Sequence, residues 1–275
     1  MEQEIRIAAV QSDPKILEKE RNVEMSCDQM RTAAREGAQL IVFPECSLTG
    51  CCFSSLEEAA QMAEPIPGPG TEILAAVCKE LDVYAAVGLL EYGEGDKVYN
   101  ASALLGPEGR VGKYRKIHPG GLVDDFLPSG AEPFAVHQTR LGQVGMTICK
   151  DVTYPESTRI LALLAAELIV TLSNRSAVIW QELINVRALE NHVNYAIANR
   201  VGTERGYTFC GRSKIVDYGG RTLAEASPDR EEIIYAEVDM AGAMRDNGRL
   251  TGRKPEFYDP IAFTTSMSDV MYPTA

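Results

Sequence analysis

Gln39-Leu-Ile-Val-Phe-Pro-Glu45 is an apolar run that a proline stops and a carboxylate follows. Four to eight apolar residues bounded by turn signals suit a buried strand, and Pro44 has no N–H with which to continue a ladder. Glu45 then falls just past the C-terminal end of that strand, at the rim of a sheet, where α/β proteins build their sites. Val144–Cys149, within Gly145-Met-Thr-Ile-Cys149-Lys150-Asp151, repeats the design with a thiol at the exit. Leu168–Leu172, rich in β-branched residues, is a third run of this kind.

Working outward, Ile5–Val10, Tyr84–Glu91, Tyr99–Leu105 and Asn194–Asn199 also read as strands. Tyr207–Val216, Thr222–Ala226 and Ile233–Val238 close the chain with β-structure. Helical patterns cover Asn22–Glu36, a segment from Thr71 as cap to about Leu81, Pro155–Ala166 and Ile179–Asn191. Pro67–Gly70 is a turn, and Gly106-Pro-Glu-Gly109 is a hairpin signal. Hairpins and crossovers together mean an α/β fold with mixed strand directions. Helices on both faces of two packed sheets satisfy the pattern, and so does a doubly wound sheet. No linker, low-complexity tract or charge block interrupts residues 1–275, so one domain is expected.

The 275 residues are 45% apolar and 24% charged, ordinary for a soluble globular chain that buries a core without staples. A net charge of -12 argues against nucleic acid or an anionic membrane as the main partner. Met1–Arg6 carries charges and leads into no long apolar region, so it does not read as a signal peptide. Ile160–Ala166, the most apolar helical stretch, is far too short to span a bilayer. Seven cysteines, an odd number without a CxxC pair, suit free thiols in a reducing cytoplasm.

Three segments carry candidate chemistry. Partial burial of Glu45 would raise its pKa toward neutrality and suit it to general-base work, although a solvated loop glutamate is the plainer reading. Cys149 is placed as a nucleophile, because the apolar run ends at it and polar residues follow before the Pro155 helix. Cys27, Cys78 and Cys210 read instead as small buried hydrophobes. Gly112-Lys-Tyr-Arg-Lys116-Ile-His118 gathers four cationic or potentially cationic side chains. A solvated basic strand would explain it, but alternation sets Tyr114, Lys116 and His118 on one face and Arg115 on the other. A lysine facing inward needs a partner, and Glu45 is a candidate.

These segments together resemble the nitrilase (carbon–nitrogen hydrolase) superfamily, whose glutamate–lysine–cysteine triad occurs in this chain order. The family's patterns stand here as Phe43-Pro44-Glu45, Tyr114-Arg115-Lys116-Ile117-His118, and Ile148-Cys149-Lys150-Asp151 with Pro155-Glu156. Trp180 with Arg187-Ala188-Leu189-Glu190-Asn191, Ala198-Asn199-Arg200-Val201-Gly202, and Arg253-Lys254-Pro255 with Tyr258 extend the match over nearly the whole chain. The resemblance implies an αββα four-layer sandwich, two mixed sheets flanked by helices. It also implies a homodimer or higher homo-oligomer, with the C-terminal tail from about residue 240 to 275 packing at the interface.

In the mechanism it implies, Glu45 takes the proton of Cys149, and the thiolate attacks an amide or carbamoyl carbon. Lys116 and the backbone N–H of Lys150 stabilise the oxyanion. No metal or organic cofactor is implied. A fourth acidic position falls at Asp124, with Asp125 beside it, where the family usually carries glutamate. Lys150 stands where Tyr, Trp or Asn is common, and a cation there would favour the Cys149 thiolate unless its stem carries the charge into solvent.

A papain-like Cys–His hydrolase would need an imidazole beside Cys149 from His118, His137 or His192. Metal enzymes are disfavoured by the absence of HExxH and of paired Cys/His spacings. A catalytically silent binding subunit is the alternative from another class. Cys51 and Cys52, close after Cys46, are expected to line the pocket wall. Arg175 in Ser173-Asn174-Arg175-Ser176 lies where the family's substrate pocket forms; a carboxylate-bearing substrate is the corresponding expectation, with a surface arginine or an oligomer-interface ion pair as the alternative. Lys150, Tyr154, Asn174 and Arg175 are therefore the candidate substrate contacts, with Phe126 and Trp180 as further wall residues. The expected reaction is hydrolysis of a small linear amide or N-carbamoyl compound, with a nitrile as the alternative substrate.

Overall fold

Ile5, Ile7 and Ala9 point to one side of the first strand while Ala8 and Val10 point to the other, and both sets are buried. A strand covered on both faces reads as an unbroken apolar run, which is why alternation is missing from so much of this sequence. The computed structural model describes residues 4–120, 126–243, 248, 250–258 and 261, without the side chains of Ile179 and Trp180.

The chain runs through β1 (Glu4–Gln11), α1 (Lys19–Arg35), β2 (Leu40–Val42), α2 (Leu56–Met62), α3 (Pro69–Leu81), β3 (Tyr84–Tyr92), β4 (Val98–Gly106) and β5 (Gly109–Arg115). It continues with β6 (Val136–Thr139), β7 (Gly142–Ile148), α4 (Pro155–Leu163), β8 (Leu168–Ser173), α5 (Ile179–Asn191) and β9 (Asn194–Asn199). Last come β10 (Thr203–Glu204), β11 (Tyr207–Thr208), β12 (Lys214–Val216), β13 (Thr222–Glu225), β14 (Glu232–Asp239) and α6 (Met240–Ala243).

Two six-stranded sheets result, in the orders β14-β1-β2-β3-β4-β5 and β13-β12-β9-β8-β7-β6. Each has a parallel centre, β1-β2-β3 in one and β7-β8-β9 in the other, with antiparallel strands outside it. The layers follow from which face each residue takes. Ile7, Val42, Ala86 and Leu104 meet Met146, Ile148, Val170 and Ala198 between the sheets. Ala8, Ile41, Val87 and Ala103 pack under Val23, Met30, Leu74 and Val77 of α1 and α3. On the far side, Ile169, Tyr195 and Ile197 take Leu161 of α4 with Ile184 and Ala188 of α5. This is the four-layer αββα sandwich, two mixed sheets flanked by helices, and the doubly wound alternative is ruled out. Among the described residues, no helix is long and apolar enough to cross a membrane.

Several local expectations shift. Thr71 is not the cap of α3: Gly68 is, and Thr71 sits in the first turn with its hydroxyl bonded to both the N–H and the carbonyl of Gly68. Helix α4 stops at Leu163, short of Ala166, because Ala165 turns left-handed at φ +68°. Tyr207–Val216 breaks into β11 and β12, since Gly211 and Arg212 between them both take positive φ. The hairpin at Gly106–Gly109 joins β4 to β5 as read.

Residues 246–275 form a second compact unit. Within it the Lys254 N–H donates to the Tyr258 hydroxyl, and the Arg253 guanidinium lies 5.1 Å from the centre of the Tyr258 ring.

Candidate active site

Glu45, Lys116 and Cys149 follow the C-terminal ends of β2, β5 and β7, the first two in one sheet and the third in the facing one. The turn at Pro44–Cys46 lies directly on Gly88 of β3, where a Cβ would come within 2.6 Å of the Cys46 nitrogen and 2.7 Å of the Pro44 carbonyl oxygen. Only glycine lets the backbones approach this closely. The Glu45 side chain is 1% exposed. Its Oε1 accepts from Lys116 Nζ at 2.8 Å and from Asn100 Nδ2 at 2.7 Å. Its Oε2 is buried with no hydrogen-bond partner among the described residues. Asn174 Nδ2 donates to the Glu45 backbone carbonyl at 2.9 Å, while Asn174 Oδ1 is buried and unpartnered among the described residues.

Alternation along β5 holds past the end of the strand. Lys116 turns inward to Glu45, and Arg115 turns outward to the buried Glu91 and to Glu132. Tyr114 and His118 share the inward side with Lys116, and both reach Asp151.

Cys149 adopts φ +43° immediately after β7 and opens a single 3-10 turn, Cys149–Thr153. A left-handed residue with a side chain costs of order 1–3 kcal/mol and persists only where its surroundings over-determine it. Here the surroundings are three buried side chains. Asp151 accepts from the Ile148 N–H at 2.9 Å, Arg175 Nη2 donates to the Cys149 carbonyl at 2.5 Å, and Arg187 donates to the Val152 and Thr153 carbonyls at 3.1 and 3.2 Å.

Burial, and next the Glu45 carboxylate, push the Cys149 thiol above its ordinary value. Lys116, Arg175 and the Asn174 backbone N–H pull it down without cancelling that rise. The expectation that Lys150 favours the thiolate is thereby corrected: its Nζ donates to the Pro119 carbonyl at 3.1 Å, and the cations acting on the sulfur are Lys116 and Arg175. His118 Nδ1 lies 2.8 Å from Asp151 Oδ1 and its ring stacks on Tyr154 at 3.9 Å, while the side chains that shift the Cys149 thiol are Glu45, Lys116 and Arg175 and not an imidazole. Asp124 and Asp125 lie outside the described residues, as does the Trp180 side chain.

Arg175 is 6% exposed. The Cys51 and Cys52 sulfurs lie 3.7 Å apart, both buried. With Glu204 they form the one three-ligand cluster among the described residues that could hold a metal. Yet Glu204 Oε1 already accepts from both cysteine N–H groups, at 3.0 and 2.8 Å, and from Arg200 Nη1 at 3.1 Å. The fully buried Arg200 guanidinium beside them, paired also with Asp13, opposes a second cation. The group fastens the loop after Glu45 to the loop after β9. Sequence reading missed Asn100, and missed Asp151, Arg187 and Arg200 as supports. All four act across long chain separations, and only the Ile148–Asp151, Arg187–Asn191 and Ala198–Gly202 motifs marked three of them.

The carbon-nitrogen hydrolase family profile matches residues 6–246. This chain belongs to the carbon–nitrogen hydrolase family. Among the relatives of this hydrolase, a nitrilase from Pyrococcus abyssi is 38% identical over 237 residues, covering 86% of this chain and 90% of its own length. The human omega-amidase NIT2 is 31% identical over 255 residues, covering 86% and 87%. A carbon-nitrogen hydrolase from Helicobacter pylori G27 superposes with a TM-score of 0.82 over 94% of this chain and 98% of its own, at 23% identity.

Proposed function

We propose that this carbon–nitrogen hydrolase cleaves a small linear amide or N-carbamoyl compound through a thioester on Cys149. The observation carrying the reading is the asymmetry of Glu45: Lys116 and Asn100 occupy Oε1, while Oε2 is buried and open. A carboxylate so held has one oxygen fixed for orientation and one for proton transfer. Burial keeps the resting sulfur as a thiol, so a base is needed at the moment of attack.

Glu45 Oε2 takes the thiol proton as the sulfur bonds to the carbonyl carbon. The oxyanion that forms is stabilised by the Lys116 ammonium, with the Lys150 backbone N–H as second donor; one such donor is worth about 3–4 kcal/mol. The C–N bond breaks as Glu45 returns the proton to the leaving nitrogen. Glu45 then takes a proton from water, the hydroxyl adds to the thioester, and the C–S bond breaks with the proton returning to sulfur. Tyr154 and Asn174 line the acyl side, and Asn174 Oδ1 is an acceptor suited to a substrate N–H. The fourth acidic role is assigned to Asp124.

A relative named omega-amidase supports the amide reading, and one named nitrilase supports the nitrile as a second substrate class. The test is ammonia release from simple amides, dicarboxylic acid monoamides, N-carbamoyl amino acids and nitriles, by wild type and Cys149→Ala. Release by the wild type alone from an amide or carbamoyl compound is the expected outcome. Turnover surviving in Cys149→Ala would overturn the mechanism, and release from nitriles alone would overturn the substrate class.

A further inference from the structure

Asp151 is fully buried and is the one carboxylate among the described residues that joins the two halves of the candidate site. Its Oδ2 accepts from the Ile148 N–H at 2.9 Å and from the Tyr114 hydroxyl at 2.7 Å. Its Oδ1 accepts from the His118 N–H at 3.1 Å and lies 2.8 Å from His118 Nδ1. Tyr114 in turn accepts from the Ile117 N–H at 3.2 Å. The donors thus come from the last residue before the nucleophile and from both flanks of Lys116. One side chain binds the turn carrying the sulfur, in one sheet, to the segment carrying the ammonium, in the other.

We propose that Asp151 is a positioning residue: its carboxylate sets the distance between the Cys149 sulfur and the Lys116–Glu45 pair. The inference rests on Cys149 as nucleophile and Lys116 as oxyanion donor, and adds the part that fixes their spacing. Four donors converge on two oxygens, so neither oxygen can be exchanged for an N–H₂ without setting donor against donor. Asp151 does not touch the substrate, and its effect passes through Cys149 and Lys116. Misplacing reacting groups by about 1 Å costs on the order of 100-fold in rate.

The experiment compares wild type, Asp151→Asn, Tyr114→Phe and Cys149→Ala in ammonia release from succinamic acid and propionamide, with melting temperatures alongside. Alkylation of Cys149 by iodoacetamide, followed by peptide mass spectrometry, supplies a readout independent of the natural substrate. Asp151→Asn is expected to lower kcat roughly 100-fold with KM within threefold, and to slow Cys149 alkylation at least tenfold. The pH positions of the kcat limbs should stay where they are, because Asp151 exchanges no proton in the reaction. Tyr114→Phe removes one donor to Asp151 together with the acceptor of the Ile117 N–H, leaves the carboxylate in place, and should lower kcat about fivefold to tenfold with KM unchanged; it decides the matter should Asp151→Asn not fold. Wild-type kcat and alkylation rate in Asp151→Asn would overturn the proposal, as would unchanged kcat in Tyr114→Phe. Turnover in Cys149→Ala would instead sink the nucleophile reading, whatever the Asp151 variant did.

Discussion

Replacing Arg175 by alanine separates a substrate clamp from a brace on the nucleophile turn. As a clamp for a substrate carboxylate, Arg175 would act on KM. The structure instead sets its Nη2 on the carbonyl of Cys149, with the guanidinium almost fully buried. A buried hydrogen bond from a charged donor contributes about 1.5–3 kcal/mol. If the bond braces the left-handed turn at the nucleophile, that loss falls on the transition state, and kcat drops about 10- to 150-fold. Arg175 is also one of the charges holding the thiol down against burial, so its removal moves the thiol further upward. The rate of Cys149 alkylation by iodoacetamide, measured against pH, should therefore rise at a more alkaline pH in Arg175→Ala than in wild type. Steady-state kinetics on succinamic acid and propionamide complete the assay. A tenfold rise in KM confined to succinamic acid, with kcat and the alkylation profile unchanged, would refute this and restore the carboxylate clamp.

Two further outcomes follow from buried and paired charges. Lys116→Met leaves the Glu45 carboxylate in the interior with Asn100 as its remaining side-chain donor among the described residues, which costs roughly 3–5 kcal/mol and lowers the melting temperature by roughly 6–20 °C. Calorimetry showing a drop below 2 °C would mean the pair adds nothing to the fold. On the surface, hydrogen bonds from Arg205 and from the Ser54 N–H hold the Glu58 carboxyl down at about 2. A depressed carboxyl stabilises fully above its unfolded value of 4.5, and that stability is lost as pH falls from there through about 2. Melting temperature should therefore fall more steeply between pH 5 and 2.5 in wild type than in Glu58→Gln; parallel curves would show the loop tie to be inert.

The architecture was legible wherever burial leaves a pattern. The runs at Ile5–Val10 and Leu168–Leu172 became strands because two covered faces demand apolar residues throughout. What periodicity could not show was whether the second face of each strand meets a helix or another sheet, since Ala9 and Val10 satisfy either neighbour equally well. Helix α2 was illegible because its seven residues bury only Ala59, leaving no stripe to read; its signal was Ser55, whose hydroxyl caps the Glu58 N–H. Within the site, Lys116 was found by parity along β5, a local property. Asn100 could not be found that way. It meets Glu45 across 55 positions of chain, and a lone asparagine on a buried strand has no spacing to betray it. The two readings left open at Lys150 have a related cause: adjacency in sequence does not give the direction of a four-carbon stem, which here carries its charge to Pro119.

Glu45 and Lys116 belong to one sheet, Cys149, Asn174 and Arg175 to the other, and the interior between them is a single layer of apolar side chains. The thickness of that layer is in effect a gauge. Ala86 and Leu104 on one inner face, with Met146 and Ile148 on the other, set how far apart the two sheets stand. Interiors are packed too tightly to absorb even a methylene unnoticed. Substitutions there reach the reaction without approaching it, opening or narrowing the gap that the reacting atoms must bridge. Activity in this molecule is therefore inherited partly through residues that no survey of its pocket would include.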